Sequence, residues 1–200
     1  MTRLLAALVF TALSGTVLAA DAESVLRQSH PRATPEEWRT RLEQDRVQAL
    51  CSRYRNRPPA GVAEEIAKSE SESFRYPESG RLMGDWRAGE KLAGIGTGGH
   101  IGRIQPDPPG RRKGGNCYAC HVLAPTEVSA GNLGPILTGY GNRHGHSPEA
   151  QRYTYRKIFN PQAYFPCTSM PRFGHNGWLT PEEIADAVAF LLDPESPVNR

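Results

Sequence analysis

Charge of one sign, long apolar runs and sulfur are all scarce in this chain of 200 residues. Its 24 Lys and Arg stand against 21 Asp and Glu, a formal net charge of +3, which excludes a dedicated nucleic-acid binder. Beyond the first twenty residues no stretch is apolar enough to span a bilayer, so no membrane-embedded domain is expected. There are only four cysteines and three methionines, few enough for each to be assigned individually. No internal repeat or long low-complexity tract is visible either, which excludes a solenoid or an array. Glycine (20) and proline (17) are plentiful and predict few long elements and much irregular chain.

The first residues read as a secretory signal. Arg3 is the only charge before Asp21, Leu4 to Leu13 is almost wholly apolar, and small residues follow. Val17-Leu18-Ala19 places cleavage after Ala19, with a site after Ala22 as the alternative. Removal leaves 200 − 19 = 181 residues and lowers the net charge from +3 to +2 with the loss of Arg3. The expected location is the periplasm. Three regions follow: a signal peptide over 1–19, a helical extension over 20–84 and a second domain over 85–200.

In the extension, Thr34-Pro35-Glu36-Glu37 is a capping box with proline at the first helical position. It predicts a helix through Cys51, with Trp38, Leu42 and Ala49 near one face and a stop before Pro58-Pro59. A shorter helix carries Val62 and Ile66, and the polar run Lys68–Ser73 is expected to fray. No active-site constellation is visible here, so a structural or docking role is expected. Past Gly84, Asp85 can cap a helix containing Trp86, Gly89 and Leu92. Gly94–Gly115 is Gly/Pro-rich without apolar period, too long for an ordinary connection, and ends in Arg111-Arg112-Lys113. That basic cluster reads equally as a solvated loop or as a steering patch for an acidic partner. Ser147-Pro148 opens a helix to Phe159, with Tyr155, Ile158 and Phe159 inward. Thr180-Pro181-Glu182-Glu183 opens another, with Ile184, Ala187, Val188 and Leu191 on one face and Asp193-Pro194 at its end.

Cys117-Tyr118-Ala119-Cys120-His121 follows the basic cluster. It is the C-x-x-C-H pattern of c-type haem attachment. Two thiols at this spacing can each add across one porphyrin vinyl group, sulfur to one carbon and hydrogen to the other, and the adjacent histidine then meets the iron. The pattern alone also fits a redox dithiol or half a zinc site; an exported context and a second axial ligand favour one covalent haem, which would supply much of a modest core. For that ligand, Met83 precedes the Trp86 helix, whereas Met170 lies in the proline-framed stretch Pro166-Cys167-Thr168-Ser169-Met170-Pro171. His144, His146 and His175 are rivals. Met170 is preferred because a soft thioether suits such a haem.

The order and spacing of these segments resemble the class I cytochromes c over roughly residues 85–200. The residues carrying the resemblance are Gly84-Asp85…Gly89…Leu92, Cys117–His121, Gly134-Pro135-Ile136-Leu137 through Arg143, Ser169-Met170-Pro171-Arg172-Phe173-Gly174 and Leu179–Ile184. The resemblance implies an all-α fold with an N-terminal helical extension and a long Gly/Pro-rich insertion. It makes Cys117 and Cys120 thioether-linked, His121 and Met170 axial, the Pro135 carbonyl an orienter of the His121 ring and Arg143 a neighbour of a haem propionate. Two departures stand out: the long insertion, and Ala93 where an aromatic often sits at the crossing of the terminal helices.

A narrower resemblance is to SoxX, the monohaem subunit of SoxAX complexes. It implies a heterodimer with a SoxA-like catalytic haem subunit, transient contact with a SoxYZ-like carrier and a downstream electron acceptor, and no catalytic residue in this chain. Cys51 and Cys167 are left over. In an oxidising compartment they read first as one disulfide; a thiol that ligates iron or binds sulfur, or a bond to a partner subunit, are the alternatives. The functional expectation is a periplasmic electron-transfer subunit in thiosulfate oxidation. A free-standing shuttle and a haem or thiol enzyme acting alone are the rivals.

Overall fold

The computed structural model describes residues 21–98, 104–105 and 107–200; the expected signal peptide and part of the insertion lie outside them. Among the described residues there are eight α-helices, two short 3-10 turns and no strand. The chain is all-α, as expected. It divides into two compact units at Leu42/Glu43.

In the first unit, α1 (Ala22–Ser29) is capped by Asp21, whose side chain accepts from the Ser24 amide. The second helix, α2 (Pro35–Arg41), carries the Thr34/Glu37 capping box. Trp38 is buried there, with the Arg27 guanidinium 3.9 Å from its ring centroid. A single helix through Cys51 does not form. The chain leaves the helix at Leu42 and restarts as α3 (Arg46–Arg53), because Asp45 and Gln48 make a second capping box that competes with continuation. Consequently Val47 and Cys51 face inward, and Ala49 is exposed.

The second unit begins at Glu43 and so includes α3; its next helix, α4, runs over Ala60–Ser71. The fraying expected from Lys68 does not occur up to Ser71, because Glu70 is buried rather than solvated. Val47, Cys51, Ile66 and Cys167 form a small apolar cluster that joins α3 and α4 to the Met170 segment. Fully buried, Ile66 contributes about 2 kcal/mol of transfer free energy.

The main core is set by α5 (Trp86–Gly94) and α8 (Pro181–Leu192). They pack so closely that a Cβ on Gly89 would lie 2.1 Å from the Asp186 carbonyl oxygen. The Gly84 amide donates to Ala185 O (3.0 Å), which places Met83 beside this packing. Between them come α6 (Tyr140–His144) and α7 (Pro148–Phe159), with Tyr155 and Phe159 packed into the same core. The ends of the insertion are pinned together: Gly115 N donates to Leu92 O and Asn116 N to Ile95 O, while Thr97 Oγ1 donates to Arg112 O. Closing a long loop on fixed stems costs little extra entropy per added residue, so the insertion leaves the helical frame undisturbed.

Candidate haem site

Cys117–Ala119 is a single 3-10 turn, entered through Asn116 in the left-handed region (φ 45°). The amides of Cys120 and His121 both donate to Cys117 O (3.1 and 2.9 Å), so both thiols and the imidazole sit on one tight turn. Loop 131–137 is laced to that turn by three amides: Gly131 to Tyr118 O, Gly134 to Cys120 O and Leu137 to Val122 O, each 2.8 Å.

The lacing sets the histidine. His121 Nδ1 lies 2.8 Å from Pro135 O. With the proton on Nδ1 donated to that carbonyl, Nε2 keeps its lone pair free for a metal. Gly134 lies flush against the ring; a Cβ there would stand 2.2 Å from Cε1. Arg143 braces the same loop from behind, its guanidinium donating to Thr138 O and, at 3.2 Å, to Ile136 O. The loop reaches α8 through the C-terminal tail, where Asn199 Oδ1 accepts from Gly141 N (2.8 Å) and its amide donates to Leu191 O and Asp193 O.

Cys117 and Cys120 are both free thiols, whereas Cys51 and Cys167 are bonded to each other as expected. Burial pushes the Cys117 thiol up to about 11, which keeps it protonated at neutral pH. Cys117, Tyr118, Leu137, Met170 and Trp178 are partly buried and pack against one core, while Leu133 and Ile136 present apolar surface beside the histidine. Paired thiols, one oriented imidazole and this apolar frame fit a porphyrin; Cys117 and Cys120 could hold it and His121 its iron.

Met170 sits on a segment fixed at both ends. Cys167, at φ 63°, is tied to α3 by the disulfide, and its amide donates to Gln162 Oε1. Gln162 Nε2 also donates to Thr168 O (3.1 Å). At the other end Arg172 is buried among polar partners, and Gly174 abuts Phe159, whose ring a Cβ would meet at 2.2 Å. Among the rival ligands, the His144 ring lies against Tyr140, tilted by 35° at 4.3 Å between centroids, and His146 is exposed on the surface. The His175 ring lies between the Asn160 amide and the Arg172 guanidinium.

Sequence reasoning missed the polar cluster of Asp45, Glu70, Asn160, Arg172 and His175. One signal was available: Glu70 falls at the fourth position after Ile66 and the eighth after Val62, on the stripe that faces inward.

The fold and site together define an electron-transfer haem protein with covalently bound c-type haem iron. The family model described as Cytochrome c matches residues 113–193, from just before the attachment turn to the end of α8, so this part of the chain is similar to the cytochromes c. An uncharacterized lipoprotein of Aquifex aeolicus (strain VF5) is 42% identical over 186 residues, covering 92% of this chain and 86% of that protein. That likeness is more than twice as long as the family match and takes in most of the extension.

Proposed function

We propose that this chain is a single-haem cytochrome whose iron is held by His121 and Met170 and whose porphyrin is bonded to Cys117 and Cys120. The observation that carries the reading is the His121 Nδ1 to Pro135 O hydrogen bond, which commits one ring nitrogen and aims the other. A haem bound there supplies one-electron exchange. The chain's residues do the rest: Pro135 fixes the imidazole, Arg143 holds the loop that carries Pro135, and the Met170 segment would supply the second ligand. A haem iron held by both His121 and Met170 would favour electron transfer over substrate chemistry at iron. In the oxidised protein, Met170→Ala abolishes the far-red Met–Fe charge-transfer band; a band that survives the substitution refutes Met170 as ligand.

More narrowly, the protein acts as the SoxX-like partner of a SoxA-like haem subunit. That complex joins thiosulfate to a thiol of a SoxYZ-like carrier, forming one S–S bond and releasing one proton and two electrons. This chain takes those electrons one at a time and passes them to a downstream acceptor. Support comes from the helical extension bonded through Cys51–Cys167 beside Met170, together with the long insertion before the attachment turn. The apolar leader, and the relative's designation as a lipoprotein, support export to the periplasmic side of the membrane. Native co-purification with intact-mass analysis tests this. One haem per chain, a mass that starts at Ala20 and a co-purifying haem protein are expected; a monomer with no partner favours a free shuttle.

A further inference from the structure

The polar cluster behind Met170 has no part in the reading so far. Arg172, two residues from Met170, is 6% exposed. Its Nη1 donates to Glu70 Oε2 (3.1 Å) and its Nη2 to the Asp45 carboxylate. Glu70, on α4, is itself 6% exposed. Asn160, fully buried at the end of α7, donates its amide to Glu70 Oε2 (2.9 Å) and Ser73 Oγ (2.9 Å). Asp45 is fixed in turn by the Gln48 amide (2.9 Å).

A buried guanidinium left without its carboxylates would be an uncompensated charge, so Arg172 has one stable position while both acids are present. A planar fork held by two carboxylates from two helices is fixed in angle as well as place. The other end of the segment is held at Cys167. Met170 is therefore one of four residues between two posts, Cys167 and Arg172, and both posts are tied to the α3–α4 region.

We infer that Glu70 and Asp45 are positioning residues for Met170: through Arg172 they hold the thioether in place and keep the sixth iron position closed to outside ligands. This rests on Met170 being the axial ligand. Nothing else in the cluster explains why Glu70, so far from the attachment turn, is buried against this one arginine.

The test is an imidazole titration of the oxidised holo-protein, followed in the Soret band, with the far-red band recorded in parallel. Wild type shows the far-red band and binds imidazole weakly. Glu70→Gln, which keeps the shape but removes the charge, is expected to bind about tenfold more tightly with a weakened far-red band. Asp45→Asn, on the half-exposed edge of the cluster, moves both readouts less and in the same direction, and it decides the question if Glu70→Gln does not accumulate. Leu192→Ala, a core truncation outside the cluster, lowers the melting temperature but leaves imidazole affinity near wild type. Wild-type affinity and an intact band in both acid variants would overturn the proposal, as would an equal response from Leu192→Ala. A wild type without the band refutes the Met170 reading itself, and this inference falls with it.

Discussion

Replacing the Cys51–Cys167 bond by Cys51→Ala with Cys167→Ala removes a crosslink between residues separated by 116 positions. In the chain-entropy description a loop of that length restricts the unfolded chain by about 16 cal/mol/K, or about 5 kcal/mol at 25 °C. Both sulfurs also sit in the apolar cluster with Val47 and Ile66, so truncation sacrifices some packing in the folded state. Residual structure in the unfolded chain works the other way and trims the entropic part. The expected net loss is about 4 kcal/mol, which appears as a fall of roughly 1 M in the guanidinium midpoint of the holo-protein. Backbone conformation supplies an internal check: position 167 has φ 63°, so Cys51→Ala with Cys167→Gly should be about 1 kcal/mol more stable than the double alanine variant. Wild type in reductant should move toward the double variants. A loss below about 1 kcal/mol, or a wild type indifferent to reductant, would refute the assignment of this bond as the main clamp between α3 and the Met170 segment.

Gly134→Ala drives a methyl to 2.2 Å from His121 Cε1. The ring or the loop must shift by about an ångström, with a stability loss of about 2 kcal/mol and a changed ferric EPR spectrum; an unaltered spectrum would exclude close packing on the ring. The His175 ring is held below its ordinary value of 6.5 by burial first and Arg172 second, with Glu70 and Asp45 opposing. The unfolded chain therefore takes up a proton before the folded one does, so stability is present above about pH 6.5 and is lost as pH falls toward the lower folded value. His175→Gln should flatten melting temperature against pH between about pH 7 and pH 5, and an unchanged slope would count against it. Burial pulls the Lys157 ammonium from 10.5 down to about 8. Among the described residues its Nζ has no hydrogen-bond partner, and it lies 3.2 Å from the Phe165 ring centroid. Lys157→Met should gain about 1 kcal/mol at neutral pH, and the advantage should narrow from pH 8 upward as the native lysine sheds its proton; a loss at pH 7 would show that the aromatic contact outweighs burial.

The helices that build the cytochrome frame were legible because their signals are local. Thr180, Ser147 and Asp85 are caps whose partners lie two or three residues on, and the inward faces of α7 and α8 follow from apolar spacing. The His121 and Pro135 pairing was legible only through resemblance, since the two lie fourteen positions apart in irregular chain. The misread stretches have different causes. Gln44-Asp45-Arg46 falls inside the single helix expected through Cys51, and the local Asp45/Gln48 capping box breaks it. Lys68–Ser73 is expected to fray, yet Glu70 in it is buried against Arg172, 102 residues away. A charge buried by a distant opposite charge leaves almost no trace in the local pattern.

That distant pairing also bears on where this protein's functional unit begins. Asp85 is where the helical pattern of a small cytochrome starts in the sequence; Glu43 is where the compact unit containing the haem site starts in space. Both edges mean something, but they divide the work differently. The stretch from Asp85 onward contains every atom expected to touch haem. It does not contain Cys51, Asp45 or Glu70, which fix the two ends of the segment bearing Met170. A thioether is a weak, neutral ligand, and it stays on iron only while the protein holds it there. On the proposed reading α3 and α4 would do much of that holding, so the helices that look like an appendage in the sequence would belong to the distal side of the site.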